Sequence, residues 1–217
     1  DWSSDVCSSD LTFKSLLISS PGILLNRRRA IYWAHDTFDF DSKTQFGKKV
    51  FYRFIFSFLK IDIVCNSNYT SQSLQRNFGI ASDFIMNPIV NIVDVKQKSE
   101  FEELIKIGIC GRIAEWKGQL FAIKALLPLL SNKNNLVLEL LGSPLFNDEK
   151  YFQDIKDFIE ENNLSTKVVL IPFCTEPEVI VGTWDLSIHA ATKPEPFGRT
   201  IAESLMVGVP VLVPNRS

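Results

Sequence analysis

The C-terminal half of the chain alternates between short apolar segments and segments with a helical period. The apolar segments have the length of buried strands and cover 104–110, 136–141, 168–172, 186–190 and 209–213. The helical segments lie between them, at 119–130, 149–162, 178–182 and 199–207. This strict alternation predicts an α/β fold with a parallel sheet that carries helices on both faces. Ligands of such sheets bind beyond the carboxyl ends of the strands.

The first part of the chain carries similar segments, but fewer of them. Strands are predicted at 31–34, 61–65 and 84–86. One helix is predicted at 48–58, and a second starts within 66–71 and ends at Gly79. The stretch 93–103 is polar and charged without an apolar period, which indicates a linker. We therefore predict a first domain over 11–94 and a second domain over 95–217.

The first ten residues, Asp1–Asp10, resemble a translated sequencing-library adapter, and we set them aside from fold reasoning. The alternative is a natural polar tail. Because this segment is adapter-like, we expect the protein-coding sequence to begin upstream of it. The apolar run 209–213 near the other end reads as a buried strand, so we expect truncation at that end as well.

Without the three aspartates of Asp1–Asp10, 22 of the 25 acidic residues remain against 23 basic ones. This near balance gives no indication of a nucleic-acid partner.

The cysteines indicate a reducing compartment. Cys7 belongs to the set-aside segment, and Cys65, Cys110 and Cys174 are an odd number without paired spacing. We expect them to be buried free thiols, which favours a cytoplasmic location. No apolar run reaches the roughly 18–20 residues of a membrane span.

The segment 48–60 mixes five aromatic residues with four cations. One interpretation of this composition is a helix that contacts a membrane surface. The alternative is an amphipathic core helix whose basic side chains extend to solvent, and this second interpretation is favoured. Peripheral contact at the inner face of a membrane therefore stays open beside a purely cytoplasmic location.

One motif near the C-terminus indicates an anion site. The sequence Glu195-Pro-Phe-Gly-Arg-Thr-Ile-Ala-Glu203 precedes and opens the helix predicted at 199–207, which Gly208 and Pro210 end. The first turn of a helix has free N–H groups and the positive end of the dipole, which suit a diphosphate. Carboxylates just before the helix and one turn into it can hold hydroxyl groups beside that anion. A diphosphate with hydroxyl groups describes a nucleotide-sugar.

A second motif, Gly111-Arg112-Ile-Ala-Glu-Trp-Lys117-Gly118, follows the first strand of the second domain. Glycine lets the backbone turn sharply and approach a ligand. Arginine can fork across a diphosphate, and lysine supplies a compact charge. The alternative is an ordinary solvated loop between strand and helix. Both motifs fall at carboxyl ends of strands.

Together the two motifs resemble the retaining glycosyltransferases of family 4, which have the GT-B fold. The resemblance rests on G-R-x4-K-G at 111–118 and Glu-x7-Glu at 195–203, with LLGSPLFNDEKYFQDI between them. It runs from about residue 25 to the end of the chain. It implies two Rossmann-like doubly wound parallel-sheet domains, both incomplete here.

The resemblance also implies roles for individual residues. Arg112 and Lys117 would bind the donor diphosphate and stabilise the leaving nucleoside diphosphate. Glu203 would hold the ribose hydroxyls, and Glu195 would hold the transferred sugar together with two backbone N–H groups. Those N–H groups belong to Phe197 and Gly198. The expected donor site comprises Gly111, Arg112, Lys117, Thr192, Glu195, Phe197, Gly198, Arg199 and Glu203.

The same cations and the helix start would replace a metal ion, and no Asp-x-Asp metal motif occurs in a comparable place. We therefore expect neither a metal nor a cofactor, only the nucleoside-diphosphate sugar as donor. Thr192 and Lys193 precede Glu195 and are expected to line the sugar pocket.

His35 follows the predicted strand 31–34. The family often has a histidine here that contacts the donor sugar or assists transfer, although a lone histidine is more often structural. Asp36 would orient this histidine or cap the next segment. His189 lies in a predicted strand, so we expect it to be buried and hydrogen-bonded. For Ser67–Thr70, capping alone is favoured over a role in the cleft.

The predicted function is transfer of a sugar from a nucleoside-diphosphate sugar to an acceptor hydroxyl, with retention of configuration. The acceptor would be a glycan or a lipid-linked molecule of polysaccharide, lipopolysaccharide or glycolipid synthesis. One alternative is a GT-B sugar-nucleotide epimerase, and another is a non-catalytic nucleotide-sugar-binding module. A dehydrogenase is disfavoured because no G-x-G-x-x-G follows a strand.

Overall fold

The computed structural model describes residues 13–26, 30–35, 45–59, 61–88, 103–145 and 147–215. The chain divides into two compact units, one of residues 1–89 with 195–197 and one of 90–194 with 198–217. Asp1–Asp10, Asp36 and nearly all of the predicted linker 93–103 lie outside the described residues. The predicted domain bounds therefore stay predictions, although the first unit ends close to the expected boundary.

The first unit contains a small parallel sheet with the strand order β1-β2-β3. Its described elements are α1 (Phe13–Asn26), β1 (Ile31–Ala34), α2 (Gln45–Leu59), β2 (Asp62–Cys65), α3 (Asn68–Phe78) and β3 (Phe84–Ile85). The strands and the helices α2 and α3 were predicted, with ends that differ by a few residues. Helix α1 was not predicted, because Pro21 and Gly22 interrupt its apolar pattern.

Aromatic side chains fill the core of this unit. Tyr32 of β1 meets Phe56 of α2 edge to face, with ring centroids 5.3 Å apart. Tyr52 stacks on Phe78 of α3 at 4.6 Å. Helix α2 therefore packs one side into the core, as the favoured interpretation of this segment required.

The second unit contains five parallel strands in the order β6-β5-β4-β7-β8. Its described elements are β4 (Ile105–Cys110), a 3₁₀ turn (Glu115–Lys117), α4 (Gln119–Asn132), β5 (Leu136–Leu141), α5 (Glu149–Glu161), β6 (Val168–Ile171), α6 (Pro177–Val181), β7 (Leu186–Ile188), α7 (Arg199–Met206) and β8 (Val211–Leu212). The α/β prediction with Rossmann-like parallel sheets is confirmed.

The strand order reverses at β4. The chain runs outward from β4 through β5 to β6, and then returns to the other side of β4 with β7. At such a reversal the loops after the two neighbouring strands diverge and leave room for a ligand. In this unit those loops follow Cys110 and Ile188. They lead into the two motifs singled out in the sequence.

Strand β8 is shorter than predicted for a local reason. Val209 donates its backbone N–H to the carbonyl of Ser204 at the end of α7, at 3.0 Å. Pro210 has no N–H to give to a strand neighbour. The strand therefore starts at Val211.

The three cysteines are free thiols, as predicted. Cys65 is buried, whereas Cys110 and Cys174 are only partly buried. The burial prediction is therefore wrong for Cys110 and Cys174, because one ends β4 and the other lies in the loop after β6. Among the described residues, no helix has the length and apolar character needed to cross a membrane.

Candidate functional site

The loop after β4 is fixed by close backbone packing. Ile113 and Ala114 are buried, and the single 3₁₀ turn that follows ends at Gly118. Gly118 has a φ of 72°, in the left-handed region that favours glycine. A Cβ atom there would lie 2.1 Å from the carbonyl oxygen of Ala190, which follows β7. The loops after β4 and β7 therefore touch through backbone atoms at Gly118.

The two cations of this loop share one aromatic ring. The guanidinium carbon of Arg112 lies 5.9 Å from the centroid of the Trp116 ring. The Nζ atom of Lys117 lies 4.4 Å from the same ring. A ring face attracts cations, so Trp116 interacts favourably with both positive groups of this loop. The sequence singled out both cations but not the ring beneath them.

Two further side chains contact Arg112, one at its backbone and one at its guanidinium. The buried Gln119 donates from Nε2 to the Arg112 carbonyl at 2.8 Å. Asp148, just before α5, places Oδ2 3.8 Å from Arg112 Nε. Neither residue was predicted, because each comes from outside the G-R-x4-K-G motif. The guanidinium is thus held on one side by a carboxylate and near an aromatic face on another.

Helix α7 begins at the second motif. Gly198 is the buried N-cap, with a φ of 80°, and its carbonyl accepts from Ile201 N at 3.0 Å. A Cβ atom on Gly111 would lie 3.9 Å from Cγ2 of Thr200, in the first turn of α7. The structure therefore brings the first turn of α7 to the start of the loop 111–118, which carries Arg112 and Lys117 and is called the cation loop below. The predicted helix 199–207 is confirmed to within one residue.

Glu203 lies on the same helix, one turn further along. Arg199 places Nη2 3.1 Å from Glu203 Oε1, an ion pair across one helical turn. In the free chain, Arg199 therefore orients the carboxylate that the resemblance assigns to ribose. Such an exposed pair contributes little to stability, so a ligand can compete for either partner.

The electrostatics around Cys110 connect the two motifs. Burial, and after it the negative charge of Glu203, raises the pKa of the Cys110 thiol from 9.0 to about 12. Lys117 acts in the opposite direction. Both charges therefore act on the same strand end, the first from α7 and the second from the cation loop. This is the carboxyl edge where a parallel sheet binds ligands.

The pKa of Cys110 gives a testable result. At pH 8 we expect iodoacetamide to alkylate Cys110 about 1,000-fold more slowly than free cysteine, because the thiolate is the reactive form and a pKa of about 12 leaves very little of it. Replacing Glu203 by glutamine lowers this pKa and speeds alkylation.

The raised pKa of Cys110 also makes stability depend on pH: its contribution to the free energy of unfolding is present below pH 9 and is lost as the pH rises towards 12. The alkylation rate gives the direct test of this pKa. Labelling followed by peptide mass spectrometry measures the rate, and a rate equal to that of free cysteine contradicts the account.

Thr192 ties the loop after β7 to the cation loop. Its backbone N–H donates to the carbonyl of Trp116 at 2.6 Å, and its hydroxyl donates to the same carbonyl at 3.1 Å. Lys193, the next residue, is exposed. The expectation that Thr192 and Lys193 line a sugar pocket stays a prediction. The bond between Thr192 and Trp116 carries no local sequence signal, since 76 positions separate the two residues.

His189 differs from its prediction in burial. It is only partly buried, because β7 ends at Ile188 and His189 already lies in the loop. It is hydrogen-bonded as expected: Nδ1 lies 3.4 Å from the hydroxyl of Thr200 in α7. This contact joins the loop after β7 to the start of α7.

The polar candidates of the first unit form one chain of hydrogen bonds. The carbonyl of His35 accepts from Asn66 Nδ2 at 3.0 Å, and Asn66 Oδ1 accepts from Thr70 Oγ1 at 2.7 Å. Ser67 caps α3 by accepting from Thr70 N at 3.0 Å, which confirms the capping prediction. The Ser67 hydroxyl also lies at hydrogen-bond distance of the carbonyl of Pro196.

Residues Glu195–Phe197 group with the first unit. Glu195 is partly buried, and the ring of His35 lies 4.9 Å from that of Trp33. The roles of His35 and Glu195 stay predictions. Among the described residues, no three His, Cys, Asp or Glu side chains are grouped so that they could hold a metal ion.

Comparison with known families identifies the chain. Residues 92–217 match the family described as glycosyl transferases group 1. Because the match covers more than half of the chain, the protein belongs to this family. This confirms the resemblance drawn from the two motifs, both of which lie inside the matched residues. A search of curated proteins found no significant match.

Solved structures confirm the fold, with the chain matching part of each. The chain resembles HepE from Anabaena, solved with UDP and glucose, at 23% identity and a TM-score of 0.78, over 93% of this chain and 57% of HepE. A TarM mutant from S. aureus, solved with fondaparinux, alpha-GlcNAc-glycerol and UDP, matches at 18% and 0.68, over 90% of this chain and 39% of TarM. The lipopolysaccharide outer core galactosyltransferase WaaB, in its apo form, matches at 15% and 0.61, over 94% and 54%.

At these identities the likeness shows the fold alone, which is GT-B in a partial match. The chain spans a little over half the length of HepE.

Proposed function

We propose that this chain carries the donor site of a retaining glycosyltransferase, which moves a sugar from a nucleoside-diphosphate sugar to an acceptor hydroxyl. The observation that carries the proposal is the meeting of two motifs at the carboxyl end of β4. The cation loop and the first turn of α7 approach each other between Gly111 and Thr200. Both are suited to a diphosphate, one by charge and the other by backbone N–H groups.

In this proposal, Arg112 and Lys117 act on the leaving group. As the bond between sugar carbon and phosphate oxygen breaks, its electrons move to the diphosphate, whose growing charge the two cations stabilise. The acceptor oxygen attacks the same face of the sugar and releases its proton to that phosphate oxygen. This front-face path retains the configuration without a covalent nucleophile. The cations and the α7 start take the part that a metal ion plays in other glycosyltransferases.

The carboxylates are proposed to recognise hydroxyl groups. Glu203, one turn into α7, would accept from the ribose hydroxyls, with its present partner Arg199 free to turn towards phosphate. Glu195, with the N–H groups of Phe197 and Gly198, would hold the transferred sugar. For His35 we keep the predicted role of contacting the donor sugar or assisting transfer.

The structures that the chain resembles support a choice of donor and acceptor classes to test. HepE was solved with UDP and glucose, and a TarM mutant with UDP. We therefore propose a uridine-diphosphate hexose as the first donor to test. WaaB is named for lipopolysaccharide synthesis. A glycan or lipid-linked acceptor of the cell envelope, used on the cytoplasmic side, fits that comparison.

Product analysis tests the proposal. The chain is incubated with UDP-sugars and with GDP-sugars, in the presence of EDTA, and the anomeric products are followed by NMR. Transfer or hydrolysis with retained configuration, unaffected by EDTA, supports the proposal. An epimerised sugar supports the epimerase alternative instead, and nucleotide binding without any turnover supports the binding module. Inverted product would overturn the assignment.

Helix α2 also has an apolar side that faces away from the core. For the segment 48–60, this feature favours membrane contact in addition to core packing. Phe51, Phe54 and Phe58 are about half exposed, and Phe54 stacks on Phe58 at 5.3 Å. The segment 45–61 contains four cations and no acidic residue. Exposed aromatic rings in a segment whose sequence is rich in cations complement a membrane with anionic lipids. We therefore propose that this side of α2 lies on an anionic membrane surface.

Liposome sedimentation tests this membrane contact. We expect salt-sensitive binding to vesicles with anionic lipid and at least about tenfold weaker binding when Phe54 and Phe58 are both replaced by serine, because each ring loses apolar burial. Phe121→Ser is the control, since Phe121 in the second unit is at least as exposed as Phe54 and Phe58. Absence of salt-sensitive binding contradicts the proposal. If the protein alone sediments as a dimer and the double variant as a monomer, a second copy of the chain covers this surface instead.

A further inference from the structure

The cation loop contains a contact that the proposed donor site does not itself require. The ring of Trp116 lies under both Arg112 and Lys117, with distances of 5.9 and 4.4 Å to its centroid. The backbone carbonyl of the same residue accepts two hydrogen bonds from Thr192. One residue therefore joins the two cations to each other and to the loop after β7.

Two like charges at one end of a sheet repel each other, and their long side chains are costly to order. A ring face is negative, so it offsets part of this repulsion and limits the orientations of both side chains. A diphosphate then meets cations that are already gathered, which lowers the entropy cost of binding.

The surroundings hold the ring in place. Lys117 N donates to the carbonyl of Ala114 at 2.9 Å and closes the 3₁₀ turn in which Trp116 lies. Gly118 packs against the carbonyl of Ala190, so the turn cannot shift towards β7. Thr192 completes this restraint with its hydroxyl and its N–H group.

We propose that Trp116 is a positioning residue, which gathers Arg112 and Lys117 for a nucleoside diphosphate, and that Thr192 fixes it from the loop after β7. The inference rests on the proposed donor site and extends it. It assigns a role to Trp116, which occupies one of the four positions that the motif G-R-x4-K-G does not specify. Trp116 acts through the two cations, so its removal weakens diphosphate binding without removing a charge.

The test measures UDP affinity by calorimetry on the complete chain. We expect Trp116→Leu to raise the Kd about five- to tenfold, and Trp116→Phe to stay within about twofold of the parent, since phenylalanine keeps a ring face. Thr192→Val should raise the Kd about threefold, because the backbone bond remains, and Thr192→Ser should restore it. Phe158→Leu is the matched control. Its ring lies 5.3 Å from the Nζ atom of Lys124, and the residue lies near the C-terminal end of α5.

Fluorinated tryptophan separates the ring face from its bulk. Fluorine weakens the negative face and nearly preserves the shape, so the Kd should rise stepwise with fluorine number. The same labelling of the Trp116→Phe variant should give no change. This second measurement still tests the role of the ring if the Trp116→Leu variant does not fold. An unchanged Kd in Trp116→Leu or in the labelled parent overturns the inference. If the parent chain binds no UDP, GDP or ADP, the proposed donor site itself fails.

Discussion

Replacing Arg112 by alanine is expected to weaken UDP binding about 10- to 100-fold, the largest loss of affinity for any single side chain of the site. A guanidinium can give two parallel charge-assisted hydrogen bonds to a diphosphate, and each is worth more than a neutral bond. Lys117→Ala should cost about tenfold, since lysine supplies one compact charge. Calorimetry on the chain, with circular dichroism to verify folding, measures both effects.

Arg76 provides a matched control for this experiment. It is an exposed arginine on α3 of the first unit, and its guanidinium carbon lies 5.8 Å from the Tyr69 ring. Arg76→Ala therefore removes the same charge and a similar ring contact at a place that the account leaves out of the site. Equal losses in Arg112→Ala and Arg76→Ala would show that only the total charge matters, which contradicts a built diphosphate site.

Replacing Gly118 by alanine is expected to remove about 3 kcal/mol or more from the free energy of unfolding of the second unit. The backbone at Gly118 is left-handed, with a φ of 72°, and a Cβ atom would lie 2.1 Å from the carbonyl oxygen of Ala190. Backbone cannot turn aside as a flexible side chain can, so the two loops must separate. The variant should also lose UDP affinity, because that separation displaces Lys117.

Gly79→Ala separates the cost of a left-handed backbone from the cost of the clash with a neighbouring backbone atom. Gly79 also has a left-handed backbone, with a φ of 65°, but its Cβ would meet the tip of the Arg53 side chain at 3.3 Å. We expect a loss of about 1 kcal/mol there, from conformation alone. Urea unfolding read by amide hydrogen exchange resolves the two units separately. Similar losses for Gly118→Ala and Gly79→Ala would contradict the close contact between the loops.

The order of elements in the second unit was predictable because each carries its own local pattern. The segment 136–141 is apolar along its length, and it forms β5 with those bounds. Helix α7 has a glycine before it and another after it, so its ends were legible. In the first unit, α1 was missed because Pro21 and Gly22 lie inside it. Local propensity opposes tertiary packing there, and packing prevails.

Part of the site was predictable for the same reason, and part was not. The residues 111–118 and 198–203 are compact motifs whose chemistry can be read from spacing. The ring contacts of Trp116 were hidden because a tryptophan within a charged loop has no defined partner in sequence. Thr192 and Asp148 act on this loop across long sequence separations, and only the folded chain shows those pairs. Asp36 lies outside the described residues, and His35 keeps a predicted role.

Amide hydrogen exchange of the parent chain, with and without a saturating nucleoside diphosphate, tests the central claim most directly. The account predicts slower exchange in 111–118 and at the start of α7, near 198–203, because both segments close on one diphosphate. Arg112→Ala should abolish this protection at the same ligand concentration. Binding that protects other segments while these two are unchanged, or no binding of UDP, GDP or ADP, would contradict the account.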